Sequence, residues 1–317
     1  MKNVIALVLC GALLASPARA DLLADIQAAT DAFKQGDLTT AEVLLSEAID
    51  SGKLDDDKHL LAKVLAWRCT VRIKAEQYEA AAGDCERTIE LDPSYSSAHL
   101  NLGSIHVLKM EYEAAIAEFS LALQHGKLPE KDIAMAYSNR GWAYFFQQDY
   151  QSALKDFDSA LAEDPRYEAA LNGRASSYVG IGELDRAMAD VEAALRAYPA
   201  SPQPIINRGL VRMYRGQLDD AVADFDKFIE VAPESPSGYF NRALVMFIKS
   251  DWNAAIADLD RLLLVHDDVP FALYLRGLAR RKLGQGDLAQ QDFDRARFID
   301  PTAESAVENV LSKLRPQ

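Results

Sequence analysis

One spacing constrains the fold more than any other feature. Ala153, Ala187, Ala221, Ala255 and Ala289 are each 34 residues apart. Pro165, Pro199, Pro233 and Pro301 follow four of them at a constant distance, and Pro93 follows Ala81 in the same way. A period of this length means stacked copies of one small unit rather than a single globule. Residues 134–165 give the clearest copy. Their apolar positions repeat with the helical period, which predicts two amphipathic helices. A tight turn is expected at Gln148, Asp149 and Tyr150, and Asp164-Pro165 stops the second helix. Gly141, Ala153 and Ala160 are small where two helices must approach. Tyr137, Tyr144, Tyr150 and Phe157 fall on the shared face.

Aligned on the alanine and the proline, the chain divides into eight units. They begin near residues 22, 62, 96, 134, 168, 202, 236 and 270. First helices carry a small residue at Cys69, Gly103, Gly141, Ala175, Gly209, Ala243 and Gly277. Second helices open with Ala81, Ala115 and the alanines above. In combination these motifs resemble the tetratricopeptide repeat (TPR) family across residues 21–317. The resemblance implies an all-α, right-handed superhelical solenoid of antiparallel helix pairs. Residues 22–50 keep only Gly36-Asp37-Leu38, Ala41 and Ala48, as expected of a terminal unit that faces solvent. Residues 303–314 read as a final amphipathic helix that covers the last unit. Two joints are longer than the rest, at Ser51-Gly52-Lys53-Leu54 and His125-Gly126-Lys127-Leu128, and predict a local change in the stack.

Residues 1–20 have a basic start at Lys2, an apolar run over residues 4–14, and Ala18-Arg19-Ala20 before Asp21. This is the layout of a signal peptide, with cleavage expected after Ala20 and export to a periplasm or beyond. The apolar run is too short to span a membrane. Formal charge is −14 for the whole chain. An acidic chain without a basic cluster argues against nucleic acid as a partner.

Arg68, Arg140, Arg174, Arg208, Arg242 and Arg276 occupy equivalent sites in six first helices. Asp84, Asp156, Asp190, Asp224, Asp258 and Asp292 match them in the second helices. This pattern predicts a ladder of charge-assisted hydrogen bonds, with an anion-binding surface as the other reading. Cys69 and Cys85 fall at the two close-packing sites of one hairpin. They are either a disulfide in an oxidising compartment or two small buried thiols. The five histidines have no metal-ligand spacing, and His99 and His106 fall on the packing face. No phosphate loop, nucleophile elbow or zinc-helix motif occurs, so no enzyme activity, metal or cofactor is expected.

In TPR arrays the first helices line the concave groove. The resemblance therefore places Trp142, Phe145, Phe146, Leu210, Met213, Tyr214, Phe240, Leu244, Phe247, Ile248, Tyr274 and Leu278 on that face. Aromatics and methionine are typical interface anchors. They serve here either a partner's segment, or packing within the array, or a second copy. Asn101, Asn139, Asn207 and Asn241 hold the site from which some TPR grooves grip an extended peptide backbone. An amide both donates and accepts, which suits that task. The basic clamp of chaperone-binding TPR domains is not recognisable, since Ala66, Thr70 and Met135 stand at its positions. The expected function is a non-catalytic envelope scaffold that binds a peptide or partner segment in its groove. The alternative is a self-assembling, homo-oligomeric envelope component.

Overall fold

The computed structural model describes residues 17–126 and 128–314, with side chains from Asp21 onward. The expected signal peptide lies outside the described residues, apart from its last four positions, and Lys127 lies outside them too. Seventeen helices and no strand occur among the described residues. Their contacts divide the chain into two compact units, Met1–Asp164 and Pro165–Gln317.

The first unit holds α1 (Pro17–Lys34), α2 (Leu38–Asp50), α3 (Lys58–Lys74), α4 (Tyr78–Leu91), α5 (Ser96–Leu108), α6 (Tyr112–Gln124), α7 (Glu130–Phe146) and α8 (Tyr150–Glu163). The second holds α9 (Glu168–Gly180), α10 (Leu184–Ala197), α11 (Pro202–Tyr214), α12 (Leu218–Val231), α13 (Pro236–Ile248), α14 (Trp252–Val265), α15 (Pro270–Lys282), α16 (Gly286–Ile299) and α17 (Ala303–Leu314). Odd helices from α1 to α15 each pair with the even helix that follows, across a turn of three residues. Each such turn places one residue at positive φ. Glycine takes that role at Gly36, Gly182, Gly216 and Gly284, where it carries no Cβ penalty. Glu76, Met110, Gln148 and Ser250 take it elsewhere with φ near 60°. The turn expected at Gln148, Asp149 and Tyr150 sits slightly earlier, because Tyr150 already opens α8. Asp149 caps that helix, its carboxylate accepting from the Ser152 N–H at 3.1 Å, a use suited to a short acceptor side chain.

Inside each pair the two helices meet by size matching. A Cβ added to Gly103, Gly141, Gly209 or Gly277 would lie only 2.5–2.9 Å from a ring carbon of Phe119, Phe157, Phe225 or Phe293. Where the first helix carries Ala175 or Ala243, the residue sixteen positions later shrinks to Val191 or Leu259. Cys69 and Cys85 occupy the same two positions, with Cα atoms 5.7 Å apart, and are joined as a disulfide. Apolar burial at these sites supplies roughly 1.5–3 kcal/mol per large side chain.

The two longer joints are more than loops. Leu54 and Leu128 turn inward and join the apolar clusters beneath them. The following helices, α3 and α7, run 17 residues against 13 for the other first helices from α5 to α15. They begin at Lys58 and Glu130, one turn earlier than the repeat spacing predicts. The buried leucine and the Asp57 cap on the Leu60 N–H explain the extra turn in α3. α1 likewise begins at Pro17 rather than Leu22.

The last helix departs most from expectation. α17 buries Ala303, Val307 and Leu311. It packs on α15 and α16, the last pair, and it also reaches α11, two repeats earlier. Its apolar residues belong to one cluster with α11, α13 and α15.

Candidate functional site

The arginine–aspartate ladder is built into the frame. In all six pairs two guanidinium nitrogens donate to the two oxygens of the aspartate sixteen residues on. The aspartates are all buried. In three pairs a second arginine, one turn further along the first helix, also grips the carboxylate. Arg72, Arg212 and Arg280 donate to Asp84, Asp224 and Asp292 at 2.9, 2.7 and 2.9 Å. The spacing of the sequence did not single these three out, because the matching position elsewhere is Tyr144, Tyr178 or Met246. The remaining guanidinium nitrogen ties to the preceding pair. Arg68 and Arg140 reach Ser46 and Ser120 at 3.0 Å, and Arg276 reaches Asp260 at 2.7 Å. The hydrogen bonds that Arg242 donates to Asp258 raise its pKa above the ordinary value, and those to Asp156 do the same for Arg140. Guanidiniums engaged this way serve the fold.

Two pairs, α1–α2 and α5–α6, lack the ladder. In α5–α6, Leu102 and Glu118 stand where Arg and Asp are found elsewhere. There the buried His99 faces Glu118 through Nδ1 at 2.6 Å and the Pro93 carbonyl through Nε2 at 3.0 Å. The two ring nitrogens thus tie Glu118 of the second helix to the Pro93 carbonyl of the preceding joint. No group of three His, Cys, Asp or Glu side chains among the described residues could hold a metal.

The first-helix face of the first unit carries an aromatic cluster. Trp142 meets Phe145, Phe146 and Phe157 with centroids 5.3, 6.0 and 5.6 Å away. Phe145 continues to Tyr150 at 5.6 Å, and Phe146 stacks on Tyr112 of the preceding pair at 5.2 Å. Phe157 is the buried root of the cluster. Phe146 is its exposed crown at 49%. Two further apolar side chains, Leu108 at the end of α5 and Met110 in the α5–α6 turn, stand at 55% and 74% exposure just before Tyr112. Trp142, Phe145 and Phe146 are thus brought together. Tyr112, Leu108 and Met110 are added by a turn that the repeat pattern treats as variable.

The same face of the second unit is more deeply buried. Met213, Tyr274, Leu244 and Leu278 are buried, and Leu210, Tyr214, Phe240, Phe247 and Ile248 are half-buried. All join the cluster that contains Val307 and Leu311 of α17. Phe247 additionally meets Trp252 at 4.8 Å and Tyr274 meets Phe293 at 5.0 Å. Burial first, then the carboxylates of Glu304 and Glu308 on α17, push the Tyr274 pKa up to about 12. Of this face, Met213, Leu244, Tyr274 and Leu278 are buried rather than open.

The asparagines do not line up as a free ladder. Asn101 donates to the Thr70 hydroxyl at 3.0 Å. Asn207 is buried, donates to Asn172 at 3.1 Å and accepts from Gln203 at 3.2 Å. At these two sites the amide links neighbouring first helices instead of facing a ligand. Asn139 and Asn241 are half-buried.

Comparison with known proteins agrees with this architecture. The tetratricopeptide repeat family model matches residues 70–130, 138–202, 206–263 and 249–304, well over half of the sequence. The chain is a member of the tetratricopeptide repeat family. Among solved structures, this TPR protein is similar to a tetratricopeptide repeat protein from Parabacteroides merdae. The match has 19% identity and a TM-score of 0.65, and covers 80% of this chain and 99% of that one. It is similar to PilW, described as a widely conserved type IV pilus biogenesis factor, at 19% identity and a TM-score of 0.57. That match covers 68% of this chain and 98% of the other. The Cut9–Hcn1 hetero-tetramer of the APC/C matches at 20% identity and a TM-score of 0.58, over 92% of this chain and 56% of that one. At such identities the likeness concerns the fold. TPR membership supports protein or peptide partners and a non-catalytic role. No helix among the described residues is long and apolar enough to cross a membrane.

Proposed function

We propose that this TPR protein is an exported, non-catalytic scaffold that holds a segment of a partner protein on the aromatic face of α7. The observation that carries the reading is the ring cluster of Trp142, Phe145, Phe146, Tyr112 and Tyr150, which ends in an exposed edge. The frame does not need that edge. Phe157 already fills the close approach to Gly141, and Phe146 lies beyond it. Exposed aromatic and methionine side chains grouped beside one another characterise interface centres. Export is supported by the layout of residues 1–20. It is supported also by the Cys69–Cys85 disulfide, a bond that persists in oxidising compartments.

A photo-crosslinking residue placed at Phe146 or Met110 in cells tests both parts. Capture of one partner protein from the envelope fraction is the expected result, and Phe146→Ser should abolish capture from Met110. Recovery of only a second copy would replace the reading with self-assembly. Fractionation that leaves the protein in the cytosol would overturn the export.

A further inference from the structure

The α3–α4 pair closes as no other pair among the described residues does. At its close-packing site the second helix carries Cys85, where every other pair carries Phe, Leu or Val. Cys69 and Cys85 are both fully buried and are joined, with Cα atoms 5.7 Å apart. α4 buries Ala81, Asp84, Cys85 and Thr88, so none of its buried side chains is a large apolar one. By contrast α8 buries Phe157 and Leu161, and α12 buries Phe225 and Phe228. The apolar burial that holds those helices to their partners is small in α4. Polar groups do not make up the difference. Arg68 and Arg72 both donate to Asp84, and Arg72 also reaches Glu42 of α2 at 2.8 Å. Desolvation offsets much of what such buried pairs gain. The turn adds little, because Glu76 sits at φ 59° and Gln77 makes no side-chain cap.

We propose that closure of α3 on α4 is conditional on the Cys69–Cys85 bond, and that a thiol–disulfide oxidoreductase is a folding partner of this chain. The proposal goes beyond the aromatic face of α7 and does not depend on it. Joining two sites sixteen residues apart restricts the open ensemble and so favours the closed pair. The bond also lies beside the ladder. Arg68 precedes Cys69 and Asp84 precedes Cys85, so the bond holds guanidinium and carboxylate in register. Burial sets the order of events. Exchange requires a thiolate to reach a sulfur, and neither sulfur is accessible once the pair has closed. Oxidation therefore comes first and closure second. Uncatalysed exchange takes minutes to hours, and over that time the apolar surfaces of the open pair stay exposed, so a catalyst is required. One cysteine thiolate attacks the partner's disulfide, forming a mixed disulfide and releasing one partner thiolate. The other cysteine thiolate then attacks the chain's own sulfur in that mixed disulfide. The Cys69–Cys85 bond forms and the partner leaves as a dithiol. The chain loses two electrons and two protons, and the partner's disulfide gains them.

The experiment compares the purified full chain in its oxidised form with the same chain refolded from urea in dithiothreitol. In the reduced chain the amides of α3 and α4 should exchange about a hundredfold faster, while those of α11 to α15 stay unchanged. N-ethylmaleimide should then alkylate both thiols readily. Equal exchange in the two forms, or thiols that resist alkylation, would overturn the conditional closure. Cys69→Ala with Cys85→Val copies the Ala175–Val191 pair and supplies the missing side chain. It should protect α3 and α4 even in dithiothreitol, and exchange as fast as in the reduced chain would show that the bond does not replace side-chain packing. For the partner, the probe is a purified thiol–disulfide oxidoreductase in its disulfide form. It should oxidise the reduced chain about tenfold or more faster than glutathione disulfide does, and Cys85→Ala should stall with it as a mixed disulfide at Cys69. Oxidation no faster than with glutathione disulfide would remove the partner. These readouts are taken on purified protein and do not involve Phe146 or fractionation of cells, so the two hypotheses fail separately.

Discussion

The two units use one kind of first-helix face in opposite ways. On α7 the rings climb from the buried Phe157 to the exposed Phe146, and the side chains of the neighbouring turn are exposed too. In the second unit α17 meets that face on α15 and reaches α11. Charge differs as well. Residues 1–164 carry 26 acidic and 15 basic side chains, and residues 165–317 carry 22 and 19. The lesson is that repeat position alone does not say whether a groove residue is available. Phe146 and Tyr214 differ by two 34-residue periods, yet one is exposed and the other is half-buried.

The frame beneath the two faces offers the largest test of this contrast. Asp224 is gripped by Arg208 and Arg212, whereas among the bonds described Asp156 is gripped by Arg140 alone. Removing one member of a buried pair costs roughly 3–5 kcal/mol. Asp224→Ala should fall in that range and Asp156→Ala at or below its lower end, because fewer guanidinium contacts are orphaned. Urea unfolding of both variants measures the difference. Equal losses would mean that the second arginine contributes nothing.

Tyr274 gives the next largest effect. Its pKa is raised from 10.0 to about 12. The folded state therefore holds the phenolic proton where the unfolded chain has released it. The stabilisation is complete below pH 10 and is lost as pH rises from 10 toward 12. The loss should appear first as undocking of α17, and Tyr274→Phe should flatten this part of the profile. On the open face Phe146→Ser is the smallest expected change, within about 0.5 kcal/mol. A larger loss in thermal unfolding would show that Phe146 is structural, and the contrast between the faces would weaken.

Much of the frame was legible in the sequence. Small residues, alanines and prolines at a 34-residue period announce helix pairs. The recurrence of Arg and Asp sixteen residues apart announces bonds between them. Both signals are local, and each repeats six or seven times. The rest was not legible for physical reasons. Arg72, Arg212 and Arg280 recur at only three sites, so no period marks them. The surroundings of Tyr274 depend on where α17 comes to lie, which is a long-range choice. The helical pattern of residues 303–314 fixes the stripe but not the surface that receives it. Likewise Asn207 resembles a peptide-gripping amide by position. Only the proximity of Asn172 and Gln203 shows that its polar groups are already engaged.

The glycine–phenylalanine matching has a consequence for how such a chain can be rearranged. A first helix with Gly209 accepts a phenylalanine partner, and one with Ala243 stands opposite leucine. Exchanging first helices alone would set a methyl group against a ring in one pair and leave a hole in the other. Recombination, natural or engineered, should succeed when crossovers fall after the second helix and fail when they fall in the three-residue turn. The heritable module of this protein is the hairpin, not the helix.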